Sequence, residues 1–283
     1  DDKVVAAWNG LAVAALAETG VLLEQPRYLQ AATTAMALVQ RLHWVDGRLR
    51  RVSRDGVVGA HSGVLEDYAD VSEGLLALYW ATGDLEHLRG AHALLEVVLE
   101  QFADGAGGFF DNAHDAEQLV RRPQDPTDNA TPSGAAAAAG ALLSYAALTG
   151  SDRHRRAAEE CLATLAPLFG RHARFAGWAL AVAEALVAGP AEVVVLDRPD
   201  LLAVARLATA PGAVVAVNGP LAEGRARGLP IGKWPVASLK WAGNQRLLLT
   251  VQSTFDINGY DFPFRRLIAI DVDTGASRIA DRK

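Results

Sequence analysis

Glu66, Asp67, Asp70 and Asp128 lie at the starts of two stretches of small apolar residues, with Asp111 and Arg122 on the connection between Phe102 and Ser133. Brought into one cavity, paired carboxylates act as general acid and base on a sugar, and their separation decides between inversion and retention. Acidic and hydroxyl side chains also cap helices, so Asp67, Asp128, Thr131 and Ser133 carry that simpler reading beside the catalytic one. Trp8 next to Asn9 offers a ring of the kind that stacks on sugars. Trp44, Tyr68, Phe109 and Phe110 lie near the same positions, although such rings equally fill cores. His61 and His114 fall on long connections, and His172 follows a later helix. A histidine pair can withdraw and return a proton beside a carbonyl, which is epimerase or isomerase chemistry, whereas a lone loop histidine is ordinarily just solvated. No HExxH, GxSxG, Walker or GxGxxG fingerprint occurs. Asn129-Ala130-Thr131 matches a glycosylation sequon, but nothing points to secretion.

The elements that must position these residues repeat along the chain. Apolar helical stretches close on Thr19-Gly20, Thr82-Gly83 and Thr149-Gly150, where a helix end accepts a glycine at positive φ. A second, more charged helix follows each stop, beginning near Tyr28, His87 and His154 and ending near Trp44, Phe102 and Phe169. Longer loops follow the first two of these, carrying Asp46-Gly47 and Asp104-Gly105. Each unit reads as inner helix, tight turn, outer helix, long loop. Such hairpins cannot bury their apolar faces alone and stack around an axis as an α/α toroid or solenoid. The long loops then gather at one end, where the inner helices begin with Trp8-Asn9-Gly10, Leu65-Glu66-Asp67-Tyr68 and Asp128-Asn129-Ala130-Thr131-Pro132-Ser133, and function is expected there.

Composition narrows the classes. The 283 residues, 51% hydrophobic, suffice for one large domain or two ordinary ones. With 27 basic against 33 acidic residues, the net charge of -6 offers no basic surplus for nucleic acid or anionic lipid. The apolar stretch Val4 to Leu23 has no basic region before it and is interrupted by Asn9, Gly10, Glu18 and Gly20, so neither a signal peptide nor a membrane span is expected. One cysteine, Cys161, allows no intramolecular disulfide, CxxC pair or cysteine-based metal cluster, and a cytoplasmic setting is expected. The chain opens Asp1-Asp2-Lys3 and its single methionine is Met36, which predicts a piece of something longer.

Four strings carry a family resemblance: Asp1-Asp2-Lys3 with Trp8-Asn9-Gly10-Leu11, Leu65-Glu66-Asp67-Tyr68-Ala69, Gly107-Gly108-Phe109-Phe110-Asp111, and Asp128-Asn129-Ala130-Thr131-Pro132-Ser133-Gly134. Over residues 1–228 the chain resembles the C-terminal part of a thioredoxin-domain-containing family, the relatives of a spermatogenesis-associated thioredoxin-like protein. That region is similar to the six-hairpin barrels of N-acylglucosamine 2-epimerase and related sugar enzymes. The resemblance implies an upstream thioredoxin domain and further hairpins, and a small αβ piece over Glu192 to Pro220. Three hairpins and a seventh helix at Ala176 to Val187 do not close a six-hairpin ring.

From Ile231 the pattern changes to short strands at Val236 to Trp241, Arg246 to Gln252 and Leu267 to Val272, after a linker marked by Gly224, Gly228 and Pro230. Residues 231–283 loosely resemble one blade of the propeller in prolyl-oligopeptidase-type serine peptidases, which would make the chain a fusion of two fragments. The sequence thus predicts a mainly α protein: a partial α/α toroid over residues 1–190, a small αβ extension over 191–228 and a β-strand tail over 229–283. The expected catalytic residues are Asp67, Asp128, Glu66 and His61. The expected substrate-binding residues are Trp8, Asn9, Tyr68, Asp111, Arg122 and Asn129. The expected partner is a small carbohydrate, with no cofactor, metal, nucleic acid or membrane. Sugar epimerase, isomerase or glycosidase chemistry is the activity class, with the fragment inactive alone. The alternatives are a non-catalytic helical scaffold for a protein partner and a fused propeller fragment.

Overall fold

A computed structural model describes residues 2–117, 119–189, 192–195, 199–207, 212–217, 236–241, 246–257, 260–271 and 277–280. The chain divides into two compact units, Asp1–Val187 and Ala188–Lys283. The first holds three helical hairpins: α1 (Ala6–Leu22) with α2 (Pro26–Leu42), α3 (Leu65–Thr82) with α4 (Leu85–Val97), and α5 (Gly134–Thr149) with α6 (Asp152–Arg171). A π turn at Val98–Phe102 extends α4, and a further helix, α7 (Gly177–Ala188), follows α6.

Side-chain size and charge decide which helices lie inside. The helices α1, α3 and α5 pack side by side, and each later helix of a pair packs on its partner. Ala135 to Ala139 of α5 are all buried. On α6 only a stripe at His154, Ala158, Cys161, Leu162 and Leu165 is buried, the spacing of one helix face against the core. Trp178 and Val182 of α7 lie against Gly140 of α5. The backbones of α1 and α3 touch: a Cβ at Gly10 would lie 2.3 Å from the Asp70 carbonyl oxygen, and one at Gly74 would lie 2.7 Å from that of Gly10.

Two of the three Thr-Gly stops are helix ends as expected. Gly83 (φ 75°) and Gly150 (φ 71°) adopt the left-handed conformation and donate their N–H groups to the Tyr79 and Ala146 carbonyls. Gly20 is a correction. It lies inside α1, which runs on to Leu22, and its role is close packing, since a Cβ there would meet the Leu29 nitrogen at 2.8 Å.

The first long connection also differs from an open loop. It folds into β2 (Trp44–Val45), β3 (Arg48–Leu49), β4 (Val52–Arg54) and β5 (Val57–Val58), with β4 pairing both with β5 and with β1 (Val4–Val5). Asp46-Gly47 and Asp55-Gly56 form the two tight turns with positive φ at all four residues, the pairing that two-residue hairpins demand.

In the second unit β6 (Glu192–Val195) and β7 (Val214–Val217) are parallel, with α8 (Pro199–Ala205) between them in sequence. The expected αβ piece is present in this form. A four-stranded antiparallel sheet follows, β8 (Val236–Trp241), β9 (Arg246–Ile257), β10 (Tyr260–Asp271) and β11 (Ser277–Ala280), ordered as in the sequence. The strands β9 and β10 are longer than the expected Arg246 to Gln252 and Leu267 to Val272, and Ile257 pairs with Tyr260. The expected linker at Gly224, Gly228 and Pro230 and the boundary at 228/229 lie outside the described residues. Among those residues, no helix is long and apolar enough to cross a membrane.

Candidate functional site at the N-terminal ends of the inner helices

Carboxylates and loop carbonyls fasten the starts of the inner helices to one another. Asp67, buried in the first turn of α3, accepts the Ala7 N–H at the start of α1 through Oδ1 (3.0 Å). Its Oδ2 accepts the Val64 N–H (2.9 Å) and Arg51 Nη1 (3.0 Å). The other nitrogen of that guanidinium, Nη2, reaches Glu66 Oε1 at 2.6 Å, so one planar fork joins a buried and a half-exposed carboxylate. The Leu65 N–H donates to the Asp111 carbonyl (2.8 Å), and Gly134 at the start of α5 lies against Leu65 and Glu66. Asp128 completes the series: Oδ1 accepts the Ser133 N–H and Oδ2 accepts the Trp178 N–H of α7, both at 2.8 Å. Ser133 Oγ caps α5 by accepting the Ala136 N–H at 3.1 Å. These N–H groups have no partner within their own helices, and the positive end of each helix dipole favours the negative charge. Capping and fastening therefore account for both oxygens of Asp67 and of Asp128.

Three carboxyls of α3, those of Asp67, Asp70 and Glu73, are unusually easy to protonate. Burial pushes Asp67 up to about 6, with Arg51 and the Val64 and Ala7 N–H groups opposing the shift. Asp70 is 1% exposed with neither oxygen hydrogen-bonded, and burial, helped by the charges of Glu66, Asp67 and Glu73, pushes it up to about 8. Burial and then Glu18 push Glu73 up to about 7. Glu66, Asp70 and Glu73 stand at positions i, i+4 and i+7 of one helix face. Groups that exchange a proton near neutrality suit acid–base work, and they are also what burial alone produces.

The expected residues are distributed unevenly around this group. Trp8 is 57% exposed, one residue beyond Ala7. Asn9 turns inward and donates Nδ2–H to the Val5 carbonyl at 2.8 Å. His61 is exposed, and its carbonyl accepts the backbone N–H of Arg51 at 3.0 Å. Tyr68 is a core residue, a correction to its expected contact with substrate. It is 1% exposed, its hydroxyl accepts the Leu49 N–H at 2.9 Å, and its ring meets Phe102 edge-on, leaving no face for a ligand. Arg122 lies over the Phe110 ring at 4.0 Å and donates Nη2–H to the Gln101 and Asn112 carbonyls, which employs it in holding the second long connection together. Asp111 accepts the Asp125 N–H through Oδ2, and burial raises its carboxyl. Asn129 is exposed, with its backbone N–H on the Thr131 carbonyl. Arg51, Glu73 and Glu18 were not foreseen. Glu66, Asp70 and Glu73, spaced along one face of α3, were a readable sign, but Arg51 gave none because its place depends on the β4 hairpin.

No family model matches the chain. It is 37% identical over 177 residues to human spermatogenesis-associated protein 20, covering 58% of this chain and 22% of that protein. The Rattus norvegicus counterpart is 34% identical over the same shares. The chain thus spans about a fifth of the length of these curated relatives, at 22%. Among solved structures, cellobiose 2-epimerase from Bacillus thermoamylovorans superposes with a TM-score of 0.50 at 15% identity, covering 60% of this chain and 45% of that one. At that identity the likeness concerns fold: the chain is mainly α, with hairpins arranged as part of an α/α toroid.

Proposed function

We propose that the N-terminal ends of the inner helices form a site for a small carbohydrate, with Trp8 as the stacking ring and the Arg51–Glu66 pair as the polar contact. The observation that carries this reading is the exposure of Trp8, 57% in a helix whose neighbours Ala6, Ala7 and Gly10 are buried. An indole left in water in the first turn of α1, one residue beyond the Ala7 N–H that Asp67 accepts, offers an apolar face for a sugar's C–H groups, and the Arg51–Glu66 pair offers donors and acceptors for its hydroxyls. The fold shared with a cellobiose 2-epimerase supports the carbohydrate class by analogy of architecture alone. Glu73 lies farther along the same face of α3, its carboxyl raised to about 7 by burial. The hairpins present here do not close a ring, so binding without turnover is the activity proposed for this chain. A cytoplasmic setting belongs to the same reading, since the chain's single cysteine, Cys161, allows no intramolecular disulfide.

The test is a titration with glucose, mannose, N-acetylglucosamine and cellobiose, followed by amide chemical shifts and indole fluorescence. Saturable shifts with a Kd of roughly 1 mM are expected for at least one sugar, weakened about tenfold by Trp8→Ala or Glu66→Gln. Spectra unmoved by the whole panel, or binding indifferent to both substitutions, would overturn the assignment and favour the scaffold reading.

A further inference from the structure

Far along the hairpins from those helix starts, α4 and α6 bring together His92, Glu96 and His154. His92 and Glu96 stand at i and i+4, one face of α4, and His154 enters from the first turn of α6. Their facing atoms all lie within 4.8 Å of one another. Glu96 Oε1 is 3.2 Å from His154 Nε2 and 4.0 Å from His92 Nδ1.

His154 supplies the independent observation. Its side chain is only 4% exposed, yet Nε2 makes no hydrogen bond, because its approach to Glu96 is close in distance but wrong in direction. On the other side of the ring, Nδ1 lies 2.7 Å from Ser151 Oγ. Nε2 is thus a buried, unpartnered atom facing a carboxylate oxygen, and in the tautomer whose Nδ1–H donates to Ser151 it presents a lone pair there. Two electron-rich atoms held that way repel unless a cation sits between them. Ser151 orients the ring, as outer-shell partners of metal-bound histidines do.

We propose that His92, Glu96 and His154 form a divalent transition-metal site, of the class that binds Zn²⁺, pinning the second hairpin to the third. Zinc bonds to nitrogen and oxygen of about 2.0–2.2 Å in a tetrahedron set neighbouring ligand atoms roughly 3.3 Å apart. The Glu96–His154 pair already has that spacing at 3.2 Å, and the His92 ring, 50% exposed, must close from 4.0 Å to Glu96 and from within 4.8 Å to His154. At present His92 Nδ1 lies 3.0 Å from the Tyr145 hydroxyl, a contact the metal would replace. Arg153 pairs with the other Glu96 oxygen, Oε2, leaving Oε1 for the ion. Two imidazoles and one carboxylate favour zinc and its neighbours over the hard, oxygen-seeking Mg²⁺ and Ca²⁺. The exposed side at His92 leaves a fourth position for water.

The experiment uses the untagged full chain stripped with a chelator and titrated with ZnSO₄ and, separately, CoCl₂. One equivalent should bind, with a higher melting temperature and, for Co²⁺, the intense visible absorption of a tetrahedral ion. MgCl₂ should do nothing. His92→Ala and Glu96→Gln, at positions open enough to keep the fold, should each weaken Zn²⁺ binding by roughly ten- to a hundredfold or more. His154→Ala should abolish it, and His114→Ala, on a distant loop, should not alter it. The proposal fails if no saturable binding occurs, or if binding survives in both His92→Ala and Glu96→Gln.

Discussion

Asp67 and Asp70 stand one turn apart on α3, both buried, and differ in every other respect. Asp67 satisfies two backbone N–H groups and a guanidinium, so Asp67→Ala strands all three donors. A loss of about 2–4 kcal/mol in urea unfolding is expected, against less than ~1 kcal/mol for Glu66→Gln, whose partner is shared and half-exposed. Equal losses would refute the fastening role. Asp70 satisfies nothing. Its carboxyl holds a proton more tightly in the folded state than in the unfolded chain, so stability falls as pH rises from the ordinary value of 3.8 toward about 8. The slope reaches about 1.4 kcal/mol per pH unit for one proton. Asp70→Asn removes that titration while keeping the shape: unfolding free energies should match wild type at pH 4 and exceed it at pH 8, on the order of 2–4 kcal/mol. A gain of the same size at both values would mean that the carboxyl is not being protonated.

At the scale of elements, the same Thr-Gly pair ends a helix twice and packs a helix once, and its flanking chemistry separates the cases. After Gly83 and Gly150 come Asp84 and Ser151, residues that favour a new helix start at once. After Gly20 the apolar Val21, Leu22 and Leu23 prolong α1. The hairpin pattern was legible because it rests on local propensity and repeats. The ladder at Trp44 to Val58 was hidden because its strands are two or three residues long, although Asp46-Gly47 and Asp55-Gly56 both spelled tight turns. Crossings are not local, and nothing near Gly10 or Gly74 in sequence says that their helices touch. Gly10→Ala must separate α1 from α3 by displacing backbone, so it should cost more than about 3 kcal/mol, while Gly83→Ala, strained only at φ 75°, should cost about 1 kcal/mol. Thermal melts of the two variants decide the order, and a milder Gly10→Ala would contradict the close crossing.

For the whole molecule, the sequence revealed the layers better than the places where layers meet. Glu66, Asp67 and Trp8 were found because each opens an inner helix, and Asp128 because it lies just before one. Arg51, and the pairing of His154 with α4, depend on which hairpin lies beside which, and one sequence carries no record of that neighbourhood. The division into Asp1–Val187 and Ala188–Lys283 follows the same logic, since the helical unit buries its own alanine- and leucine-rich core. Its last helix is part of that core: Ala179, Val182 and Ala185 are buried, and the Trp178 N–H is one of the two partners that hold Asp128. A chain of residues 1–189 should therefore unfold in a single cooperative transition, with its melting temperature within a few degrees of the full chain and any sugar and Zn²⁺ binding retained. A chain of residues 1–176, which lacks α7, uncovers the Gly140 face of α5 and leaves one oxygen of Asp128 without its N–H, and should melt well below both. Circular dichroism of the three chains tests the ranking. If 1–189 melts as low as 1–176, the second unit supplies stability that the helical core does not provide for itself.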